Sequence, residues 1–197
     1  MSITAGVVLA AGLGSRFGGQ KLLAELNGTP ILQYVLNLAA VTALDPVVVV
    51  LGSDADALVT RLWWRHEVRL INPGPARGLS SSVQMGLASL EVSDAERAVV
   101  LLGDQPWLSA AQLGTILAAP QDDARPFVVP RYAGVPGNPV LLERAAWSLA
   151  AQLTGDTGMA QLFSANPDLV RYVDVAGTNP DIDTRSDLAR LGSAPQR

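Results

Sequence analysis

The stretch Val7-Val8-Leu9-Ala10-Ala11-Gly12-Leu13-Gly14-Ser15-Arg16-Phe17-Gly18-Gly19-Gln20-Lys21 joins a short apolar run to a glycine-rich loop that carries two cations. The run, residues 7–11, has counterparts of the same length at residues 47–51 and 98–102. Each has glycine close by, or proline on its N-terminal side. Apolar segments this short and this continuous fit strands covered on both faces, as in a parallel sheet between helical layers. A loop leaving the carboxyl end of such a strand is where this kind of sheet binds its ligands.

Helical patterns separate the runs. Residues 30–44 start with Pro30 at a first helical position and set Ile31, Tyr34, Val35 and Leu38 on one face. Further helices are expected at 54–64, 81–90 and 109–118, each opened by a residue suited to capping. A weaker strand at 68–71 runs into the turn Asn72-Pro73-Gly74-Pro75. The alternation predicts a doubly wound α/β fold, a three-layer α/β/α arrangement with a mostly parallel sheet. Past Pro120 the pattern loosens. Strands are expected at 127–130, 140–142 and 170–175, and helices at 143–152 and 158–164. A last helix at 185–191 is opened by Thr184, with Asp187 three residues on, a weaker form of the capping box. No repeat or linker interrupts the chain, so one domain is expected over residues 1–192, followed by a flexible tail at 193–197.

Composition limits the chemistry. The 197 residues include no cysteine and one histidine, His66. Disulfides, thiolate catalysis and cysteine-ligated metals are excluded, and an HExxH zinc site is too. Hydrophobic residues make up 49%, enough for a core and too many for disorder. The longest apolar runs fall far short of the ~20 residues of a membrane span. No basic residue precedes Arg16, so a secretory leader lacks its charged start, and the expected location is cytoplasmic, with no membrane partner. A net charge of −4 argues against nucleic acid as a partner. His66 is expected at or near the surface, and Trp63 and Trp64 in core packing or at an interface.

Two familiar glycine loops fail here. A P-loop needs glycine followed directly by lysine and a hydroxyl residue, whereas Gln20 intervenes and Leu22 follows. A Rossmann loop needs GxGxxG, and Gly12, Gly14 and Gly18 are spaced one residue too far. What remains is a backbone able to close around phosphates, with Arg16 and Lys21 supplying charge. A tight turn with a solvated lysine would use the same glycines. Lys21 is, however, the one lysine among fourteen basic side chains, the rest being arginine. That usage suggests a site wanting a compact point charge, where the arginine fork does not fit.

The loop resembles the nucleotidyltransferase signature LAAGxxxRxGxxK, as Leu9-Ala10-Ala11-Gly12, Arg16, Gly18 and Lys21. Four further elements in the same order, besides the stretch NPGPARGLSSSV at 72–83, extend the likeness over nearly the whole chain. They are Gly103-Asp104-Gln105-Pro106, residues 135–139, Gly155-Asp156-Thr157-Gly158, and Asp181-Ile182-Asp183-Thr184. The family is that of molybdenum cofactor cytidylyltransferases and their molybdopterin guanylyltransferase relatives, the MobA-like NTP transferase domain.

The resemblance implies a Rossmann-like nucleotidyltransferase fold and Mg²⁺-dependent transfer of CMP from CTP to the terminal phosphate of molybdopterin. It assigns catalysis to Arg16, Lys21 and Asp104, and the metal to Asp104 and Asp183. It places Leu9, Ala10, Ala11, Gly12 and Gly14 on the nucleotide, together with Arg16 and Lys21. Gly78, Leu79, Ser82 and Gly103 join them there. Pro136, Gly137, Asn138, Pro139 and Asp156 are implied on the acceptor side. Ala11 stands where a cytidylyl family has alanine and a guanylyl family glycine, which favours CTP. A molybdenum enzyme or its chaperone is the implied macromolecular partner. Asn138 replaces the family's histidine in GHP, and Ala160 its arginine in GDxGAR, so a different phosphorylated acceptor stays open. So do a guanylyltransferase, a non-catalytic nucleotide- or cofactor-binding accessory, and a dinucleotide-dependent oxidoreductase. Asp104 also reads as a turn former, Asp183 as a residue stabilising the following helix start, and Ser82 as a helix cap.

Overall fold

A computed structural model describes residues 2–12, 14–155 and 158–192. Its first strand, β1 (Thr4–Ala10), leads through the glycine loop to a small hairpin, β2 (Glu25–Leu26) and β3 (Thr29–Pro30). Then come α1 (Ile31–Val41), β4 (Leu44–Leu51), α2 (Ala55–Arg61), β5 (Val68–Ile71), α3 (Leu79–Ser89) and β6 (Arg97–Leu102). The second half holds α4 (Ala110–Leu117), β7 (Phe127–Tyr132), β8 (Val135–Pro136), β9 (Val140–Glu143), α5 (Trp147–Ala150), α6 (Gly158–Ala165), β10 (Val170–Val175) and α7 (Arg185–Gly192).

One sheet runs in the order β10-β7-β9-β6-β1-β4-β5, with β8 paired to β7. The pairs of β1 with β4 and β6, of β4 with β5, and of β10 with β7 are parallel. β9 enters antiparallel between β6 and β7. The mostly parallel α/β architecture expected from the sequence is therefore present. The apolar runs supply both faces of its centre. Val8 and Ala10 pack with α1, α2 and α4, while Val7 and Leu9 pack with α3, α5 and α6. No polar side chain could sit at these positions without losing water on either side. Among the described residues no helix is long and apolar enough to cross a membrane.

From β1 the chain moves outward to β4 and β5, then returns across the sheet to β6 on the other side of β1. The loops after β1 and β6 consequently diverge, leaving a crevice at their carboxyl ends, the usual ligand position in such sheets.

Several local expectations need correction. Pro30 is the residue before α1 and not its first helical residue, and the helix stops at Val41 because β4 begins at Leu44. The helix expected over 54–64 ends at Arg61, leaving both tryptophans beyond it. Neither Pro30 nor Asp54 makes a side-chain cap. α3 starts earlier than expected, at Leu79 behind Gly78, whose φ of 91° suits glycine. Ser109 does cap α4, in a full capping box with Gln112. The helix expected over 143–152 is mostly replaced, since β9 reaches Glu143 and a tight turn at Arg144–Ala146 precedes the short α5. The β2–β3 hairpin was signalled by Asn27-Gly28, both at positive φ, the pattern of a two-residue hairpin turn.

Gly86 sets how close α3 lies to β1, because a Cβ there would run into the Val7 side chain. Gly86→Ala should lower unfolding stability by about 1–3 kcal/mol, the usual cost of overpacking. Urea denaturation of the two proteins measures it, and an unchanged midpoint would contradict this packing.

Candidate active site

The glycine loop closes on itself through its backbone. The Gly14 carbonyl accepts the N–H groups of Phe17 (3.0 Å) and Gly18 (3.3 Å), and Lys21 donates its N–H to Gly19 O at 2.8 Å. Gly14 has φ +58°, and a Cβ on it would press on the Gly19 carbonyl at 3.2 Å. Phe17 is buried beneath the loop, with the Arg185 guanidinium 5.2 Å above its ring. Lys21 begins a short turn whose Leu22 and Leu23 are buried in the core. These apolar anchors fix the lysine's stem and aim its ammonium back into the crevice.

Two carboxylates meet it there. Lys21 Nζ lies 2.5 Å from Asp104 Oδ2 and 3.3 Å from Asp183 Oδ1. Arg16 reaches the other Asp183 oxygen at 3.1 Å. The two cations differ in setting: the Lys21 side chain is 12% exposed and that of Arg16 74%. Asp104 is held just past β6 by the bond from Gly103 N–H to Leu9 O. Its own carbonyl accepts the Ile182 N–H at 3.1 Å. Ile182 is fully buried, so the C-terminal segment is pinned with Asp181 and Asp183 flanking that anchor. The capping question is resolved alongside. Thr184 and Asp187 form the reciprocal box that starts α7, which leaves the Asp183 carboxylate to face the cations.

A cavity of about 680 Å³ opens here. It is lined by Leu9, Ala10, Ala11, Gly12 and Gly14, by Arg16 and Lys21, and by Asp104 and Asp183. Gly78, Leu79 and Ser82 line it as well. Gly103 is not among the lining residues; a Cβ on it would come within 3.0 Å of Leu9 O, so its lack of a side chain serves strand packing. A second cavity, about 380 Å³, is lined by Pro136, Gly137 and Asn138 together with Gln105, Tyr132 and Asn179. Pro139 does not line it, and Asp156 lies outside the described residues. Of the two tryptophans, Trp64 packs against the core with Arg69 over its ring, while Trp63 is 85% exposed and takes no part in that packing. His66 is exposed and lines neither cavity.

Asp181 was overlooked as a site residue, although it lines both cavities. The alternation Asp-Ile-Asp was the available signal, since an apolar residue between two acids sends them to a common side. Gln105 Nε2 donates to Asp181 Oδ1 at 2.6 Å, and Asn179 Nδ2 donates to Gln105 Oε1 and to Asn138 O. Tyr132 donates its hydroxyl to the same Asn138 carbonyl, and burial pushes its phenol up to about 12. Burial also raises the Asp181 carboxyl above the ordinary carboxylate range. The neighbouring Asp104 and Asp183 charges raise it further, against the Gln105 bond and Lys21.

A raised carboxyl means that the folded protein holds that proton more tightly than the unfolded chain. Its stabilising contribution is complete below the unfolded-state value, and is lost as pH rises through the folded-state value. Asp181→Asn keeps the acceptor oxygen and removes the charge. Its melting temperature should exceed that of the parent by a margin that widens from pH 4 to neutrality. A margin independent of pH would show that Asp181 carries no such load.

Comparison with known proteins gives the family of the chain. The family described as MobA-like NTP transferase domain matches residues 6–170. Nicotine blue oxidoreductase of Paenarthrobacter nicotinovorans is 29% identical over 94% of this chain and 95% of its own. Molybdenum cofactor cytidylyltransferase of Escherichia coli is 27% identical over 92% of each chain. The crystal structure of Rv0371c from Mycobacterium tuberculosis is 31% identical over 98% of this chain and 99% of its own, with a TM-score of 0.87. The same protein in complex with manganese superposes with a TM-score of 0.84, at 30% identity over 99% of this chain and all of its own.

Proposed function

The chain belongs to the family of MobA-like NTP transferase domains and is a nucleotidyltransferase, and from that premise we propose that it transfers CMP from CTP to the terminal phosphate of a molybdopterin-type acceptor. The observation that carries this reading is the Lys21 ammonium, largely buried between Asp104 and Asp183 at the edge of the glycine-loop cavity.

In the reaction an acceptor phosphate oxygen attacks the α-phosphorus of the triphosphate. The new oxygen–phosphorus bond forms as the bond to the β-phosphate breaks, and pyrophosphate leaves with the electron pair. A phosphate monoester has its second ionisation near pH 6, by the same chemistry as a phosphorylated side chain, so it is already a competent nucleophile. No histidine is needed, in keeping with the remote His66. The protein's work is positioning and charge neutralisation. The loop backbone cradles the phosphates, Arg16 and Lys21 offset the charge gathering on pyrophosphate, and Gln105, Asn138 and Asn179 shape the side from which the acceptor enters.

Asp104 and Asp183 fit a hard divalent cation. Their oxygens converge on one ammonium, a position already suited to positive charge. Among the described residues no cluster of three or more acidic or histidine side chains forms a complete cage. One or two carboxylates completed by phosphate oxygens and water is how Mg²⁺ is commonly held in such enzymes. When bound, the cation would draw charge off the phosphate oxygens. The manganese complex of Rv0371c supports a divalent ion in this family, and Mg²⁺ is the ion proposed here. The nucleotide-binding role of residues 9–12, Gly14, Gly78, Leu79 and Ser82, and the acceptor-binding role of residues 136–138 and Asp156, belong to the same proposal. So do a cytoplasmic location and delivery of product to a molybdenum enzyme or its chaperone.

A second reading, an oxidoreductase, is favoured by the name of the Paenarthrobacter relative. The two separate in one experiment. The protein is incubated with Mg²⁺, molybdopterin and each of the four triphosphates, and with NADH or NADPH in parallel. Pyrophosphate and a cytosine dinucleotide product are expected with CTP. Consumption of a nicotinamide cofactor without pyrophosphate would replace the proposal.

Lys21→Ala should lower turnover by about 10²–10³-fold, the scale for losing one charge-stabilising donor. Lys21→Arg should not restore it, because the guanidinium fork cannot occupy the narrow place between the two carboxylates. Near-normal pyrophosphate release by Lys21→Arg would contradict this. Chelation of divalent ions should abolish turnover and added Mg²⁺ restore it. Asp104→Asn should raise the Mg²⁺ concentration needed for half-maximal rate.

A further inference from the structure

Behind the larger cavity lies a buried hydrogen-bond network in which only Ser82 has been given a role above. Asn72, 2% exposed, follows β5 and faces the first turn of α3. Its Oδ1 accepts the Gly74 backbone N–H at 2.9 Å. Only an oxygen can accept that hydrogen, so the bond settles which way the amide points. Nδ2 therefore faces α3, donating to Ser81 Oγ at 2.8 Å and to Ser82 Oγ at 3.0 Å. Ser81 directs its own hydrogen to Gly78 O, also at 2.8 Å.

Ser82 is left in a different condition. It accepts from Asn72, and among the described residues it donates to nothing. Because one lone pair is already engaged, the hydroxyl hydrogen is the group it has to offer. Ser82 lines the larger cavity together with the glycine loop. A buried donor with no partner costs free energy until something accepts from it.

We infer that Asn72 is a positioning residue that fixes the Ser82 hydroxyl as a donor into the nucleotide cavity, where it reads an acceptor atom of the base. For CTP that atom is ring N3 or carbonyl O2. This rests on the reading that the cavity holds a nucleoside triphosphate. Asn72 touches no substrate; it acts by setting the polarity of the serine beside it.

Asn72→Asp tests the idea with little change of shape. The carboxylate still accepts the Gly74 N–H but has no hydrogen to give. Ser82 then turns its hydrogen inward and shows lone pairs to the base. Equilibrium binding is measured with Mg²⁺ and no acceptor, using CTP and ribose 5-triphosphate, which carries no base. The quantity read is the ratio of the two affinities, because charge repulsion or loosened folding affects both ligands alike. In Asn72→Asp the preference for CTP should fall by about tenfold, as expected for one lost hydrogen bond. Ser82→Ala should fall equally, and the double variant no further. A ratio unchanged in Asn72→Asp, or additive losses in the double variant, would overturn the inference. So would a parent protein that binds CTP no better than ribose 5-triphosphate. A parent that prefers CTP but releases no pyrophosphate refutes nucleotidyl transfer and leaves the role of Asn72 standing.

Discussion

The site is organised by one buried ammonium between two carboxylates. Asp104 and Asp183 are 83 and 162 residues from Lys21 in the chain, yet both lie within hydrogen-bonding distance of its Nζ. Asp181 adds a third acid close by, its carboxyl raised first by burial and further by the charges of Asp104 and Asp183. Without the ammonium these acids would face one another in a partly dehydrated crevice, where like charges are costly. Three separate pieces of the fold must therefore arrive together: the loop after β1, the loop after β6, and the segment before α7. The packing of Leu22, Leu23 and Ile182 beneath them makes that arrival a consequence of core formation.

The same arrangement explains how the site can serve nucleotidyl transfer without a histidine or a thiol. The reacting phosphates bring their own charge and their own nucleophile, so the protein needs donors, cations and acids to position a metal. A compact lysine can exchange partners between carboxylate and phosphate by small rotations of its ammonium. A guanidinium would be committed to one plane. Arg16 contacts Asp183 from a largely exposed position, whereas Lys21 is held between two acids in the crevice.

Legibility along the chain followed the range of the interactions. The central strands were readable because burial on both faces demands unbroken apolar runs, a local requirement visible in residues 7–11, 47–51 and 98–102. The α7 start was readable because a capping box spans only four residues. Helix ends were not, since the place where α2 gives out depends on what lies beyond it, and the helix expected to run on to Trp64 stops at Arg61. Glu143 shows the same limit at the opposite end of β6. It looked like the start of a helix, yet it ends β9 and is fully buried between Arg97 and Arg171. Burial raises its carboxyl against the pull of those two arginines. No local pattern announces an ion pair whose members lie on three different strands.

The amino-acid sequence alone determined the class of fold, the glycine loop and the singular standing of Lys21, because each follows from residue type and spacing. Tertiary structure alone decided which acids face that lysine, that Asp181 borders two cavities, and that Asn72 aims the Ser82 hydroxyl. The physical reason is the same throughout: hydrogen bonds and ion pairs act over about 3 Å of space, and distance along the chain carries no record of them until the core has closed.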